Sequence, residues 1–146
     1  MLRAVLDANV YISALLQPAG PPGQIVEKYL REESFQLILS ASIVAEVLRT
    51  FAYPKIRRSL QPKVEPVLWF EDLIVLAELV PAGSDLLGVC DDPDDDKYFA
   101  AALRGCAGFV VTGDQCFLAV REYEGVRIVR PRAFLEILRS EGGGAS

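Results

Sequence analysis

Short apolar runs alternate along the chain with longer segments of helical periodicity. Five short runs are mostly apolar, at positions 2–6, 35–39, 77–80, 109–112 and 126–129. Runs of this length predict buried strands. Between them, apolar residues recur every three or four positions, which predicts amphipathic helices. Strands that alternate with helices indicate an α/β fold built on a parallel sheet.

The predicted helices have clear starts and ends. They span residues 9–16, 24–33, 41–51, 54–60, 64–76, 95–105, 114–120 and 131–139. Ser40 is a favourable N-cap for the third of them, and Pro66 suits the first turn of the fifth. We expect one domain over residues 1–140 and a disordered tail over residues 141–146. A parallel sheet of this kind places its site beyond the carboxyl ends of its strands.

Length and composition are those of a soluble globular domain. Of the 146 residues, 51% are hydrophobic and 24% are charged. A domain of this size buries roughly 68–70% of its unfolded surface, so it needs no disulfide or metal to fold. No apolar run reaches the roughly 18 residues of a membrane span, and the N-terminal segment has the pattern of a strand and not of a signal peptide. We therefore expect a cytoplasmic protein without a membrane partner.

Cysteine and histidine usage excludes several kinds of site. The chain has three cysteines, Cys90, Cys106 and Cys116, in no CxxC spacing, and it has no histidine. A zinc site of Cys and His ligands is therefore excluded, as are Ser-His-Asp and Cys-His mechanisms. We expect the three thiols to be buried and free in a reducing compartment.

The acidic residues are concentrated in one segment. The net charge is −5, and five of the 20 acidic residues lie between positions 91 and 96, so the remainder of the chain is neutral (−5 + 5 = 0). A local acidic site on an otherwise balanced protein indicates a hard cation as its immediate partner.

Two acids follow directly on predicted strands. Asp7 ends the first strand and is followed by Asn9, while Asp114 ends the fourth strand after Thr112 and Gly113. Either aspartate can simply cap the helix that follows it. Because the carboxyl ends of parallel strands lie at one edge of the sheet, we also expect the two carboxylates to lie close together.

Two further acids lie on predicted helices. Glu46 borders an apolar stripe and has an alternative role in a surface pair with Arg49. Asp96 shares the inward face of its helix with apolar residues, where an unpaired carboxylate costs several kcal/mol. Like charges gathered at one edge repel each other unless a cation neutralises them. Oxygen ligands without Cys or His select Mg²⁺ or Mn²⁺.

These pieces together resemble the PIN-domain family. The matching elements are Leu6-Asp7-Ala8-Asn9, Glu46 with Arg49, the run from Asp94 to Ala100, and Val111-Thr112-Gly113-Asp114. The Pro/Gly loop after the first helix and the acidic phrase before Lys97 are most similar to VapC-like toxin components of toxin–antitoxin pairs.

The resemblance implies a three-layer α/β/α sandwich with a five-stranded parallel sheet and metal-dependent hydrolysis of RNA. Asp7, Glu46, Asp96 and Asp114 match the acidic positions, with Asn9 and Thr112 in support. Asp92, Asp94 and Asp95 compete with Asp96 for the third position, and we prefer Asp96 because the apolar helix follows it. The resemblance also implies a cognate antitoxin and a homodimer or higher homo-oligomer.

The mechanism suggested by these residues uses Mg²⁺ or Mn²⁺ held by Asp7, Asp96 and Asp114 to activate water against a phosphodiester. Glu46 is expected to bind a second metal or to orient the water. The densest basic stretch, consisting of Lys55, Arg57, Arg58 and Lys63, is a candidate for holding RNA phosphates, although a solvated helical turn explains it equally well.

Three other classes of protein share part of this pattern. A haloacid-dehalogenase-like phosphatase requires a second Asp where this chain has Asn9. A response-regulator receiver domain requires a late lysine, and no lysine follows Lys97. The third class, a catalytically silent PIN-fold binding module controlled by a partner protein, fits the same sequence pattern.

Overall fold

A six-stranded sheet forms the centre of the protein, whose computed structural model describes residues 1–60, 62–81, 88 and 92–144. The strand order is β3-β2-β1-β4-β6-β5. All pairs are parallel except β5 with β6. The strands are β1 (Arg3–Leu6), β2 (Gln36–Leu39), β3 (Glu78–Leu79), β4 (Phe109–Val111), β5 (Glu122–Tyr123) and β6 (Val126–Val129).

Helices flank this sheet, as the alternating pattern predicted. Those in the described part of the chain are α1 (Ala8–Leu16), α2 (Pro21–Glu32), α3 (Ala41–Phe51), α4 (Pro54–Ser59), α5 (Pro66–Leu76), α6 (Asp96–Arg104), α7 (Gln115–Leu118) and α8 (Pro131–Gly144). A single 3₁₀ turn, Pro93–Asp95, leads into α6. The α/β class and the parallel sheet predicted from sequence are confirmed.

The sheet differs from the prediction by one strand. We expected five parallel strands, and β5 adds a sixth that runs antiparallel to β6 at the sheet edge. Two residues connect them, Glu124 with φ 47° and Gly125 with φ 86°, and a two-residue hairpin loop with both φ angles positive is the favoured kind. A strand of two residues carries too little periodicity to be recognised in the sequence.

The centre of the sheet is the point where its order reverses. From β1 the chain proceeds through β2 to β3 on one side, and then returns to β4 and β6 on the other. The register aligns Leu6 with Val111, so β1 and β4 end side by side. In open α/β sheets this crevice beyond the carboxyl ends is where sites form.

Several expectations about individual segments change. Helix α8 continues to Gly144, so the tail expected from residue 141 is helical as far as it is described. Cys106 and Cys116 are free, as expected, but both are exposed and not buried. Cys106 lies in the turn after α6, with φ 52°. Cys90 and Asp91 lie outside the described residues. The helices described are too short or too polar to span a membrane.

Candidate functional site

Asp7 lies at the end of β1, at the reversal point of the sheet. Its amide donates to the carbonyl of Val111 on β4 at 3.0 Å, and its side chain caps α1 by accepting from the Asn9 amide at 3.4 Å. The capping role considered from the sequence is therefore confirmed. The residue is only 5% exposed, so a charged carboxylate here is largely removed from water.

Thr112 connects the ends of the two central strands. Its hydroxyl donates to Oδ2 of Asp7 at 2.8 Å and accepts from the Asp114 amide at 3.0 Å. Asp114 in turn caps α7 by accepting from the Cys116 amide at 2.7 Å. This chain of hydrogen bonds connects both strand-end aspartates to one buried threonine.

Glu46 reaches the site from α3. Ser40 caps this helix as predicted, accepting from the Ile43 amide at 3.4 Å. The Glu46 side chain is partly buried, and its Oε2 accepts a hydrogen bond from the Tyr98 hydroxyl. The same oxygen lies 3.3 Å from Nζ of Lys97. The ion pair of Glu46 is therefore formed with α6, whereas Arg49, the partner considered from the sequence, is exposed.

The sequence pattern predicted no role for Lys97 or Tyr98. Lys97 is 3% exposed, and its ammonium is held between Glu46 and Asp94, the latter at 3.0 Å. The Tyr98 hydroxyl also accepts from the Ala8 amide at 3.3 Å, which links α6 to the start of α1. Burial and the bond to Glu46 raise the pKa of Tyr98, so it remains a proton donor. The available signal was a lysine at the start of a helix whose later positions, 99–103, are all apolar.

Asp95 and Asp96 have different surroundings. Asp96 is 1% exposed, and its Oδ2 accepts from the Gly88 amide at 2.8 Å. Because this hydrogen bond partners the buried carboxylate, its burial does not by itself indicate a bound cation. Asp95 is partly buried at the start of α6, and its pKa is raised to about 6 by burial and then by the charges of Asp92, Asp114, Glu46 and Asp7.

The pKa of Asp7 is raised, like that of Asp95. Burial raises it most, and the charges of Glu46 and Asp114 raise it further, while the hydrogen bonds from Thr112 and Asn9 lower it. Each of these acids thus destabilises the charged form of another. Four carboxylates, from β1, α3, the start of α6 and the end of β4, lie near enough to repel: Asp7, Glu46, Asp95 and Asp114.

The donor set suits a hard divalent cation. All four side chains offer carboxylate oxygens, which are the ligands of Mg²⁺ and Mn²⁺. As placed, no three acidic or cysteine side chains among the described residues converge tightly enough to hold one ion by themselves. Mg²⁺ ordinarily keeps several waters and takes one or two carboxylates, so the arrangement fits an ion held partly through water.

The remaining predicted residues are peripheral. Asn9 is exposed and contributes its backbone amide to Asp7. Lys55, Arg57 and Arg58 are exposed on α4, which packs against α3, and Lys63 is exposed after it. A separate apolar groove of about 380 Å³ near α1 and α2 includes Leu15, Val26, Leu30 and Trp69, and none of the four carboxylates lines it.

Comparison with known proteins identifies the family. The uncharacterized protein MJ1680 of Methanocaldococcus jannaschii is 27% identical over 143 residues, covering 92% of this chain and 90% of the relative. The crystal structure of PAE2754 from Pyrobaculum aerophilum is 16% identical with a TM-score of 0.56, covering 95% of this chain and 90% of that one.

A second solved structure is VapBC2 from Rickettsia felis, bound to a DNA fragment from their promoter. It is 11% identical with a TM-score of 0.59, and the match covers 88% of this chain and 98% of that one. At these identities the two structures show the fold alone. A family model described as PIN domain matches residues 3–116, and the chain therefore belongs to the PIN-domain family.

Proposed function

We propose that this protein is a metal-dependent ribonuclease that hydrolyses RNA phosphodiester bonds at the carboxyl ends of β1 and β4. The observation that carries the proposal is the gathering of carboxylates at the reversal point of the sheet, where the charges of Glu46 and Asp114 raise the pKa of both Asp7 and Asp95. Membership of the PIN-domain family supports the same assignment. A scaffold without chemistry gains nothing from four acids gathered at one place, since like charges repel.

We assign the third acidic position to Asp95 in place of Asp96. The charges that raise the pKa of Asp95 are those of the other site acids, whereas Asp96 accepts a hydrogen bond from the Gly88 backbone. In this proposal Asp7, Asp95 and Asp114 would hold Mg²⁺ or Mn²⁺, directly or through water.

The protein's own side chains have distinct roles in this proposed site. The metal supplies activation of water and charge compensation at the phosphate when it is bound. Thr112 keeps Oδ2 of Asp7 oriented and favours its ionised form. Both described contacts of the Glu46 side chain are made by Oε2. Its Oε1 is therefore the oxygen that would accept a hydrogen bond from the attacking water. Tyr98 and Lys97 hold that carboxylate in place.

RNA binding requires positive charge that the acidic site lacks. The exposed bases Lys55, Arg57, Arg58 and Lys63 follow α3, the helix that carries Glu46. In the proposed enzyme they contact backbone phosphates on either side of the cleavage position. Such contacts would make RNA affinity fall steeply as the salt concentration rises.

The decisive experiment compares two adjacent carboxylates. The purified protein is stripped of metal and assayed on single-stranded RNA with and without Mn²⁺, beside Asp95→Asn and Asp96→Asn. We expect cleavage that needs Mn²⁺, is lost in Asp95→Asn, and is largely kept in Asp96→Asn, since asparagine can still accept from Gly88. Wild-type cleavage by Asp95→Asn overturns the assignment. Mn²⁺ binding without cleavage of any RNA favours the silent binding module.

A toxin role is the finer part of the proposal. One structural neighbour is a VapBC2 complex, and its fold covers 88% of this chain. We propose that this protein has an antitoxin partner that blocks the acidic site, and that it assembles as a homodimer or larger homo-oligomer. Growth arrest on expression, absent for Asp95→Asn, tests the toxin role. Light scattering of the purified protein tests the oligomeric state.

A further inference from the structure

The buried ammonium of Lys97 is the least expected group near the acidic cluster. It is 3% exposed and lies 3.3 Å from Oε2 of Glu46 and 3.0 Å from Oδ2 of Asp94. Removing an ammonium from water is costly unless it is paired and hydrogen-bonded. Its two carboxylate partners satisfy that requirement, so the lysine places a positive charge on the Glu46 side of the site.

The surroundings of Glu46 differ from those of the two strand-end acids. Its Oε2 has two donors, Lys97 and Tyr98, and both come from consecutive positions of α6. Asp7 is held by Thr112 and a backbone amide, and Asp114 by a backbone amide, without a cation at any of these contacts. Among the described residues the compensation for charge is therefore uneven, since Glu46 has a cationic partner and the strand-end acids do not.

We propose that Lys97 is a positioning residue that serves as an internal substitute for a second metal ion, so that the site takes one divalent ion. This inference rests on the proposed metal-dependent function. The ammonium neutralises Glu46 and keeps it directed at the cluster, while the single ion is held on the side of Asp7, Asp95 and Asp114. The same positive charge repels that ion and so weakens its affinity.

The contact between Lys97 and Asp94 also positions the turn that precedes α6. Asp94 lies on the 3₁₀ turn before α6 and is exposed, yet it bonds the buried lysine. Lys97 thereby fastens this turn, and with it Asp95, to α3 through Glu46. The proposed role of Lys97 thus includes holding the third acid against the site before any metal arrives.

The test measures how many Mn²⁺ ions bind to each chain in the absence of RNA. Mn²⁺ binding to the metal-free protein is measured by calorimetry and by the EPR signal of free Mn²⁺, for wild type, Lys97→Met and the charge-conserving control Lys97→Arg. We expect one Mn²⁺ per wild-type chain. In Lys97→Met we expect a second ion, or affinity that is roughly tenfold tighter because a nearby positive charge has been removed. Lys97→Arg should remain closer to wild type than Lys97→Met.

Thermal unfolding keeps the proposal testable if the methionine variant is weakly folded. Lys97→Met should have a lower Tm than wild type without metal, and Mn²⁺ should raise its Tm by more than it raises that of wild type. The double variant Glu46→Gln with Lys97→Met removes both charges and should lose this extra response. Two Mn²⁺ per wild-type chain, or unchanged stoichiometry and affinity in Lys97→Met, overturns the role of Lys97 alone. Failure of the wild type to bind Mn²⁺ overturns the metal-dependent function as well.

Discussion

The hydroxyl of Thr112 donates a 2.8 Å hydrogen bond to Oδ2 of Asp7, joining the ends of β4 and β1 at the point where the sheet order reverses. The bond lies inside the protein, since Thr112 is fully buried. It opposes the effect of burial on Asp7, because a donor to a carboxylate stabilises the ionised form. One threonine thus preserves the charge of the most buried site acid.

Replacing that hydroxyl should affect both stability and metal binding. In Thr112→Val, Asp7 loses a donor and the Asp114 amide loses its acceptor, so the free energy of unfolding should fall by about 1–3 kcal/mol. The pKa of Asp7 should rise further, which weakens Mn²⁺ binding near neutral pH. Denaturant unfolding and calorimetry measure the two effects. Thr112→Ser retains the hydroxyl, and equal losses in both variants would contradict this explanation.

Asp7→Asn should stabilise the metal-free protein. Asparagine is as good an N-cap as aspartate, and it can still accept from Thr112, while one charge is removed from a repelling cluster. We expect a gain of about 0.5–2 kcal/mol, of the size found when function and stability conflict. The same variant should lose the Tm increase that Mn²⁺ gives the wild type. A metal-free Tm at or below that of wild type would show that the cluster carries no such strain.

The stability of the metal-free protein should fall as the pH rises through about 6. The folded state raises the pKa of Asp95 from its usual 3.8 to about 6, so between these values the folded protein binds the proton more readily than the unfolded chain. That contribution is fully present below the unfolded pKa and is lost above the folded one. Asp7, whose pKa is also raised, acts in the same direction. Thermal melts without metal across this range, compared with Asp95→Asn, measure the effect. An equal pH dependence in Asp95→Asn would count against it.

Gly23 should tolerate no side chain. A Cβ at this position in α2 would lie 2.1 Å from the carbonyl oxygen of Pro18, whereas at Gly20 the nearest atom, the carbonyl oxygen of Gln17, would be 3.4 Å away. Backbone must therefore move in Gly23→Ala, at a cost of about 1–3 kcal/mol. Gly20→Ala is the matched control and should lose no more than about 1 kcal/mol. Similar melting temperatures for the two variants would contradict the close approach of backbone at Gly23.

Local features of the sequence were sufficient to place the strand-end part of the site. Asp7 and Asp114 each follow a short apolar strand and cap the next helix, so their positions depend on a few neighbouring residues. The parallel arrangement then brings both to one edge, because such strands share their direction. Thr112 was placed for the same reason.

The contacts between α3 and α6 were decided by the tertiary structure. Glu46 and Lys97 are 51 positions apart, and no periodicity along either helix indicates that they meet (97 − 46 = 51). The sequence instead offered Arg49, one turn away, as a partner for Glu46. Packing of the buried faces of the two helices brings Lys97 and Tyr98 to Glu46.

The sequence by itself determined the α/β class, the alternation of strands and helices along the chain, and two carboxylates at the ends of β1 and β4, because these follow from hydrophobic periodicity and strand direction. Only the tertiary structure showed that Asp95 and Asp96 have different surroundings, with Asp95 beside the charges of the other acids and Asp96 bonded to the Gly88 amide. Adjacent residues on a helix point about 100° apart, and the rotation of α6 depends on how its apolar face packs against the sheet. It also decided the sixth strand, since β5 has only two residues and gains its stability from pairing with β6.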